Sequence, residues 1–208
     1  MPSNRSRWAR ARNKLRLFTI APFLIGAIAV AGCTAPQTQA IDEPASATDT
    51  FLNDHDLTGL DAPQIIERLD TMLLADRPQD LMASIRADEL LLTDAQQQEV
   101  ILPMPPDQFY LSFAPYRSQT HDCYFHSLTT CTGELQNTDI QVSVIDNQTG
   151  QTVIEETRRT YDNGFLGLWL PRDLDATLTV ETNGLTASTP ISTSTAEDPT
   201  CLTNLQLT

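Results

Sequence analysis

Apolar positions along this chain change their spacing at a few places, and each change predicts an element. Leu17 to Ala31 is a continuous apolar stretch of 15 residues behind a basic run that extends from Arg5 to Arg16. Farther on, Ile65, Ile66, Leu69, Met72 and Leu73 fall at i, i+1, i+4, i+7 and i+8, which is one stripe of an amphipathic helix. Asp61 and Gln64 stand where a cap would start that helix, with Leu60 and Ile65 as a hydrophobic staple. Arg77-Pro78 predicts its end. From residue 81 short strands replace the helical pattern. Leu81 to Arg86, Glu89 to Thr93 and Glu99 to Met104 read as strands, although Ala95 to Gln98 would equally continue a helix. Pro103, Pro105 and Pro106 make a stiff boundary.

Beyond that boundary the pattern is β throughout. Phe109, Leu111 and Phe113 alternate with Tyr110, Ser112 and Ala114. Gln141 to Ile145 and Thr152 to Thr157 flank a turn sequence ending at Gly150, a hairpin signal. Phe165 to Leu170 is apolar without a break, as expected of a strand buried on both faces. Thr177 to Thr182 and Leu185 to Ser188 flank Asn183-Gly184, a two-residue turn. In a final strand Cys201, Thr203, Leu205 and Leu207 share one parity, which turns Cys201 toward the core. The predicted class is therefore α+β, mainly β. Residues 51–106 form a small N-terminal part with one amphipathic helix and short strands, and residues 107–208 an antiparallel β-sandwich or barrel.

The N-terminal pattern fixes the compartment. No acidic residue precedes Asp42, and the apolar stretch is too short to span a bilayer comfortably. A basic run followed by such a stretch reads as a secretion signal over residues 1–32. It closes on Val30-Ala31-Gly32-Cys33, which resembles a bacterial lipobox and makes Cys33 the lipidation site; a plain signal peptide with a chance cysteine is the alternative. No Arg-Arg pair precedes the apolar stretch, which favours general secretion over the twin-arginine route. Residues 33–50, rich in Ala, Thr, Gln and Pro, then read as a flexible tether. The expected location is outside the cytoplasm, lipid-anchored at the cell membrane and facing periplasm or exterior.

Charge removes whole classes of function. After residue 32 the chain holds seven basic and 27 acidic residues, a net charge of −20. That field repels phosphate backbones and excludes nucleic acid as a partner. No lysine remains, so Schiff-base and P-loop chemistry are excluded, and no G-x-S-x-G elbow is present.

One stretch concentrates the remaining chemistry. Residues 120 to 131, THDCYFHSLTTC, hold His121, Cys123, His126 and Cys131. Together with Cys201 these offer three thiols and two imidazoles, soft donors that suit Cu(I) and accept Zn. His121 and Cys123 share a strand face, whereas His126 and Cys131 need a turn, which Ser127 to Thr130 can supply. A structural disulfide between Cys123 and Cys131, closing a loop of nine residues, remains open beside the metal reading. A cupredoxin-like site is disfavoured because no methionine follows the loop. His55, within Asn53-Asp54-His55-Asp56, reads as a solvated turn residue, and Phe165 and Trp169 as core.

Residues 109 to 134, FYLSFAPYRSQTHDCYFHSLTTCTGE, resemble the signature of CueP-type copper-binding proteins of the bacterial cell envelope. NGFLGLWLPRD at 163 to 173 and DPTCLTNLQL at 198 to 207 extend the likeness, and weaker stretches around GLDAPQIIERLD carry it toward the N-terminus. The resemblance implies a helix-containing N-terminal part, a β-rich C-terminal domain, and copper held by Cys123, Cys131 and Cys201, with His121 and His126 as further candidate ligands. It also implies copper resistance, supply of copper to an exported superoxide dismutase, or reduction of Cu(II) and Fe(III). The expected cargo is Cu(I), or Cu(II) before reduction. Expected partners are that dismutase, a thiol–disulfide reductase, the membrane through the lipid, and a second copy of the chain. Two functions follow, sequestration or delivery of Cu(I) and thiol-based metal reduction; a structural lipoprotein with a permanent disulfide and no metal is the alternative to both.

Overall fold

The computed structural model describes residues 46–208, so the signal segment, Cys33 and most of the tether lie outside the described residues. The first element is α1 (Ala47–Asp54), helical where the last residues of the tether were expected. Ser46 caps it, since the Asp49 N–H donates to Ser46 Oγ at 3.1 Å and the Asp49 carboxylate returns the contact. Phe51 and Leu52 bury its inner face. The predicted helix is α2 (Ala62–Asp70), and the capping box between Asp61 and Gln64 is present in both directions, each bond 3.0 Å long. Its stripe stops sooner than the apolar spacing suggests. Leu73 is exposed, because a 3-10 turn (Leu74–Asp76) takes over and the Leu74 N–H is held by Asp162, a residue far along the chain.

Strands β1 (Leu81–Ile85), β2 (Glu89–Asp94) and β3 (Glu99–Pro103) form an antiparallel meander. Ala95 to Gln98, ambiguous in sequence, is the β2–β3 turn, closed by Asp94 accepting from the Gln96 and Gln98 N–H groups at 2.8 Å. With α1 and α2 this sheet encloses one core containing Leu57, Ile65, Ile66, Ile85, Leu90 and Leu92.

The other strands make two further sheets. Strands β5 (Asp139–Asp146), β6 (Thr152–Arg159), β8 (Asp175–Thr182) and β9 (Leu185–Ser192) pair antiparallel in the order β6-β5-β8-β9. The β8–β9 turn is the predicted one: Asn183 and Gly184 both have positive φ, +52° and +75°, as a two-residue hairpin turn requires. The sheet that matters most here has the order β10-β4-β7, from β4 (Gln108–Phe113), β7 (Leu166–Pro171) and β10 (Cys201–Leu202). Phe109, Leu111, Phe113, Leu166, Leu168 and Leu170 pack with Ile140, Val142, Leu178 and Val180 of the four-stranded sheet. Tyr110 joins the helix-side core instead, and Trp169 packs against that core. β4 and β7 are thus buried on both faces, as the unbroken apolar run at 165–170 predicted. Gly167 has a steric reason, because a Cβ there would collide with the Tyr110 phenol ring.

One strand departs from the expected antiparallel pattern. β10 runs parallel to β4, pairing Cys201 with Ser112 and Leu202 with Phe113. The C-terminal segment then continues beside Tyr116 and Thr186, whose backbone groups bond Leu207 and Thr208. Among the described residues no helix is long and apolar enough to cross a membrane.

Candidate metal centre

The long connection between β4 and β5 carries four of the five candidate ligands, His121, Cys123, His126 and Cys131, and neighbouring backbone holds it around residues 126–128. The Ile85 N–H donates to the His126 carbonyl at 2.8 Å, and the Leu128 N–H donates to the Ala83 carbonyl at 2.9 Å. The motif is therefore docked along the β1 edge. Residues 127–130 turn back, with the Cys131 N–H donating to the Ser127 carbonyl at 3.1 Å. That turn returns the Cys131 sulfur to the Cys123 sulfur, 3.5 Å away.

Cys201 arrives from the other side on β10. The Thr200 and Cys201 N–H groups both donate to the Tyr124 carbonyl, at 3.0 and 3.1 Å. Thr200 itself is fully buried and locks the junction: its Oγ1 donates to the Ile85 carbonyl at 2.6 Å and accepts from the His126 N–H at 3.0 Å. The Cys201 sulfur lies 3.8 Å from His126 Nδ1. The ligand atoms of Cys123, His126, Cys131 and Cys201 all lie within 4.8 Å of one another. His121 is outside this group and exposed, with its ring 6.1 Å from that of Phe165. His55 caps α1 and stacks on Phe51.

The covalent pairing differs from the one considered from spacing. Cys123 is bonded to Cys201, with a Cα–Cα distance of 5.6 Å, and among the described residues Cys131 is the free cysteine, and it is buried. Short sequence separation favours Cys123–Cys131 in a flexible chain. In the fold the β4–β10 pairing overrides that preference by placing Cys201 against Cys123. Cys123 is only half-buried and lines an open cleft of about 500 Å³ with Asp122, Tyr124, Thr203 and Asn204.

Behind the sulfurs is a polar cluster that the sequence did not reveal. Asp70, the last residue of α2, is fully buried. Its Oδ1 lies 3.1 Å from His126 Nε2 and 2.9 Å from the donating Asn163 amide, while its Oδ2 accepts from the Tyr110 hydroxyl at 2.7 Å. The one available signal was an acid four residues after Ile66, on the apolar stripe itself. Arg77, also buried, donates from Nη1 to the Cys131 carbonyl at 2.8 Å. Phe165 closes the wall, its ring 4.6 Å from that of His126.

This environment sets the ionisation of the site. Burial opposes charge on Asp70, but His126 and the donated hydrogen bonds prevail and hold its carboxyl below the usual value. Burial also opposes charge on His126, and there the Asp70 carboxylate prevails, raising the imidazole to about 9. The Cys131 thiol, which burial alone would push up, is drawn down to about 7, first by its contacts with His126 and then by a hydrogen bond from His121. Cys131 is thereby prepared as a thiolate, the form that binds metal.

The donor set fits copper on chemical grounds. Three soft thiolates in trigonal array around one ion, with bonds near the ~2.3 Å usual for metal–thiolate contacts, would sit about 4 Å apart. The Cys123 and Cys131 sulfurs, 3.5 Å apart, are near that spacing, whereas Cys201 is bonded to Cys123 and would have to part from it on reduction. Comparison with known proteins agrees: the family described as periplasmic copper-binding protein CueP matches residues 64–206. The chain belongs to the CueP family. A solved structure described as "Crystal Structure of S.CueP" shares 43% identity, with a TM-score of 0.73, over 79% of this chain and 99% of that one. No curated protein matches the chain. The match to this copper-binding family spans the candidate ligand loop, the polar cluster and β10, and the Cys/His group could hold a metal ion.

Proposed function

We propose that this CueP-family protein is a lipid-anchored envelope protein that captures Cu(I) at Cys123, Cys131 and Cys201, with His126 beside them, and so contributes to copper resistance. The convergence of the three sulfurs and a His126 ring nitrogen within 4.8 Å carries the reading. Capture requires the Cys123–Cys201 bond to be reduced, since each sulfur offers a thiolate only when free. Cys123, half-buried in the cleft, is the sulfur an external dithiol reaches first. Lipid at Cys33 keeps the protein on a membrane surface, which limits delivery to recipients, such as an exported superoxide dismutase, that come to it.

A second reading is favoured by the cysteine pairing itself. Reduced Cys123 and Cys201 can give one electron each to two Cu(II) ions, forming the disulfide and releasing two Cu(I) and two protons; an external dithiol then returns the pair to thiols and is itself oxidised to a disulfide. Cys131 stays reduced and available to hold product. Stoichiometry separates the readings. Reduced protein should bind one Cu(I), and should lose it on Cys131→Ser or Cys201→Ser and on competition with a strong Cu(I) chelator only slowly. Multiple turnovers of Cu(II) with a supplied dithiol would establish reduction. Copper content unchanged by all three cysteine-to-serine substitutions would defeat both readings.

A further inference from the structure

The carboxylate of Asp70 is bonded to the far side of the buried imidazole that approaches the sulfurs. A carboxylate only accepts hydrogen bonds, so the ring nitrogen facing it, Nε2, must carry the proton. The free lone pair of a neutral ring is then on Nδ1, the atom that lies 3.8 Å from Cys201 Sγ.

We propose that Asp70 is a positioning residue for the copper site: by accepting the Nε2 proton of His126 it fixes the ring so that Nδ1 becomes a nitrogen ligand beside the three sulfurs. This rests on the copper-capture reading above and adds a fourth donor with a defined tautomer.

The geometry leaves the ring no other orientation that keeps its contacts. Both backbone groups of His126 are already committed, the N–H to Thr200 and the carbonyl to Ile85. Phe165 lies 4.6 Å from the imidazole, and a flip would bring a carbon opposite Asp70. Asp70 is itself immobilised. Tyr110 from β4 donates to it, and so does Asn163 from the loop before β7, which also donates to the Asp70 carbonyl at 3.1 Å. The helix end, the central sheet and the ligand loop therefore converge on one carboxylate. An outer carboxylate that orients a metal-binding histidine contributes about ten- to a hundredfold in affinity when it is present.

The test uses reduced protein loaded with one equivalent of Cu(I). In wild type, nitrogen-15 NMR should show His126 protonated at Nε2 and coordinated at Nδ1, and X-ray absorption should show a nitrogen neighbour beside the sulfurs. Asp70→Asn keeps the shape and removes the charge. It should lose the nitrogen neighbour and weaken Cu(I) binding about ten- to a hundredfold. Leu178→Ala, in the core between the sheets and away from the site, lowers stability without touching His126 and should keep the nitrogen neighbour. If Leu178→Ala loses it too, Asp70 acts only through stability and the proposal falls. It also falls if folded Asp70→Asn keeps wild-type affinity and the nitrogen signal. Should Asp70→Asn not fold, the wild-type spectra still decide: an all-sulfur site, or a proton on Nδ1, overturns the assignment. A wild-type chain that binds no Cu(I) sinks the copper reading together with this one, whereas Cu(I) bound through sulfur alone sinks only this one.

Discussion

The sulfurs of Cys123 and Cys131 lie 3.5 Å apart and are not bonded to each other, because Cys123 is bonded to Cys201. Cys123 is thus the shared member of two sulfur pairs. Whichever partner is absent, the other is already within a short movement of it.

Cys201→Ser should therefore redirect the bridge. Oxidised protein should contain a Cys123–Cys131 disulfide, seen as a cross-linked peptide by mass spectrometry without reduction, while the fold remains. Cu(I) affinity should fall at least tenfold on a chelator competition. Two free thiols persisting under oxidation would contradict this.

The buried pair makes stability depend on pH in a predictable way. His126 is raised from 6.5 to about 9, the Asp70 carboxylate outweighing burial. Its contribution is whole below pH 6.5 and fades as pH rises through about 9. Asp70 is shifted down from 3.8 against burial, so its contribution is present above that value and is lost as acid takes the pH through its lowered one. His126→Leu should cost about 3–5 kcal/mol, because it leaves a buried charge without its partner. Urea unfolding should find that loss largest between pH 3.8 and 6.5 and smaller toward 9. A loss constant across the range would mean the pair is not ionised.

Gly167→Ala should disturb the polar cluster from behind. The added methyl meets the Tyr110 ring, whose hydroxyl bonds Asp70. Overpacking of this kind costs about 1–3 kcal/mol. A thermal melt and the near-ultraviolet signal of Tyr110 and Trp169, rings 4.8 Å apart, should both change. An unaltered melt would show that the sheet yields more easily than its packing suggests.

Cys33→Ala should prevent lipid attachment. The reading predicts an unprocessed or released form in place of the membrane-bound one, followed by labelling with a radioactive fatty acid. Unchanged labelling would refute it.

Much of the fold is legible in the sequence because the signals are local. The Asp61–Gln64 box, the Asn183-Gly184 turn and the two-faced run at 165–170 each act through neighbours a few residues away. The candidate ligands are also legible as a set, since thiols and imidazoles are scarce in this chain. What escapes is pairing over distance. Nothing near Cys201 announces that β10 runs parallel to β4, so the bridge to Cys123, 78 residues earlier, could not be read. Asp70 escapes for a related reason. On a helix one acid ends an apolar stripe unremarkably, and only the arrival of His126, Tyr110 and Asn163 from three later segments gives it partners.

The two-residue length of β10 has a mechanical consequence. So short a strand has little ladder of its own, with one candidate ligand at its first residue. An ion shared with the loop of Cys123 and Cys131 would act as a fastener for the tail, raising the work needed to peel it from the sheet edge. In the reduced protein, filling the site should slow amide exchange in residues 201–208, while leaving β5 and β8 as they were. Cargo would then be released as the tail frays, so that the grip on the metal and the lifetime of the C-terminus rise and fall together.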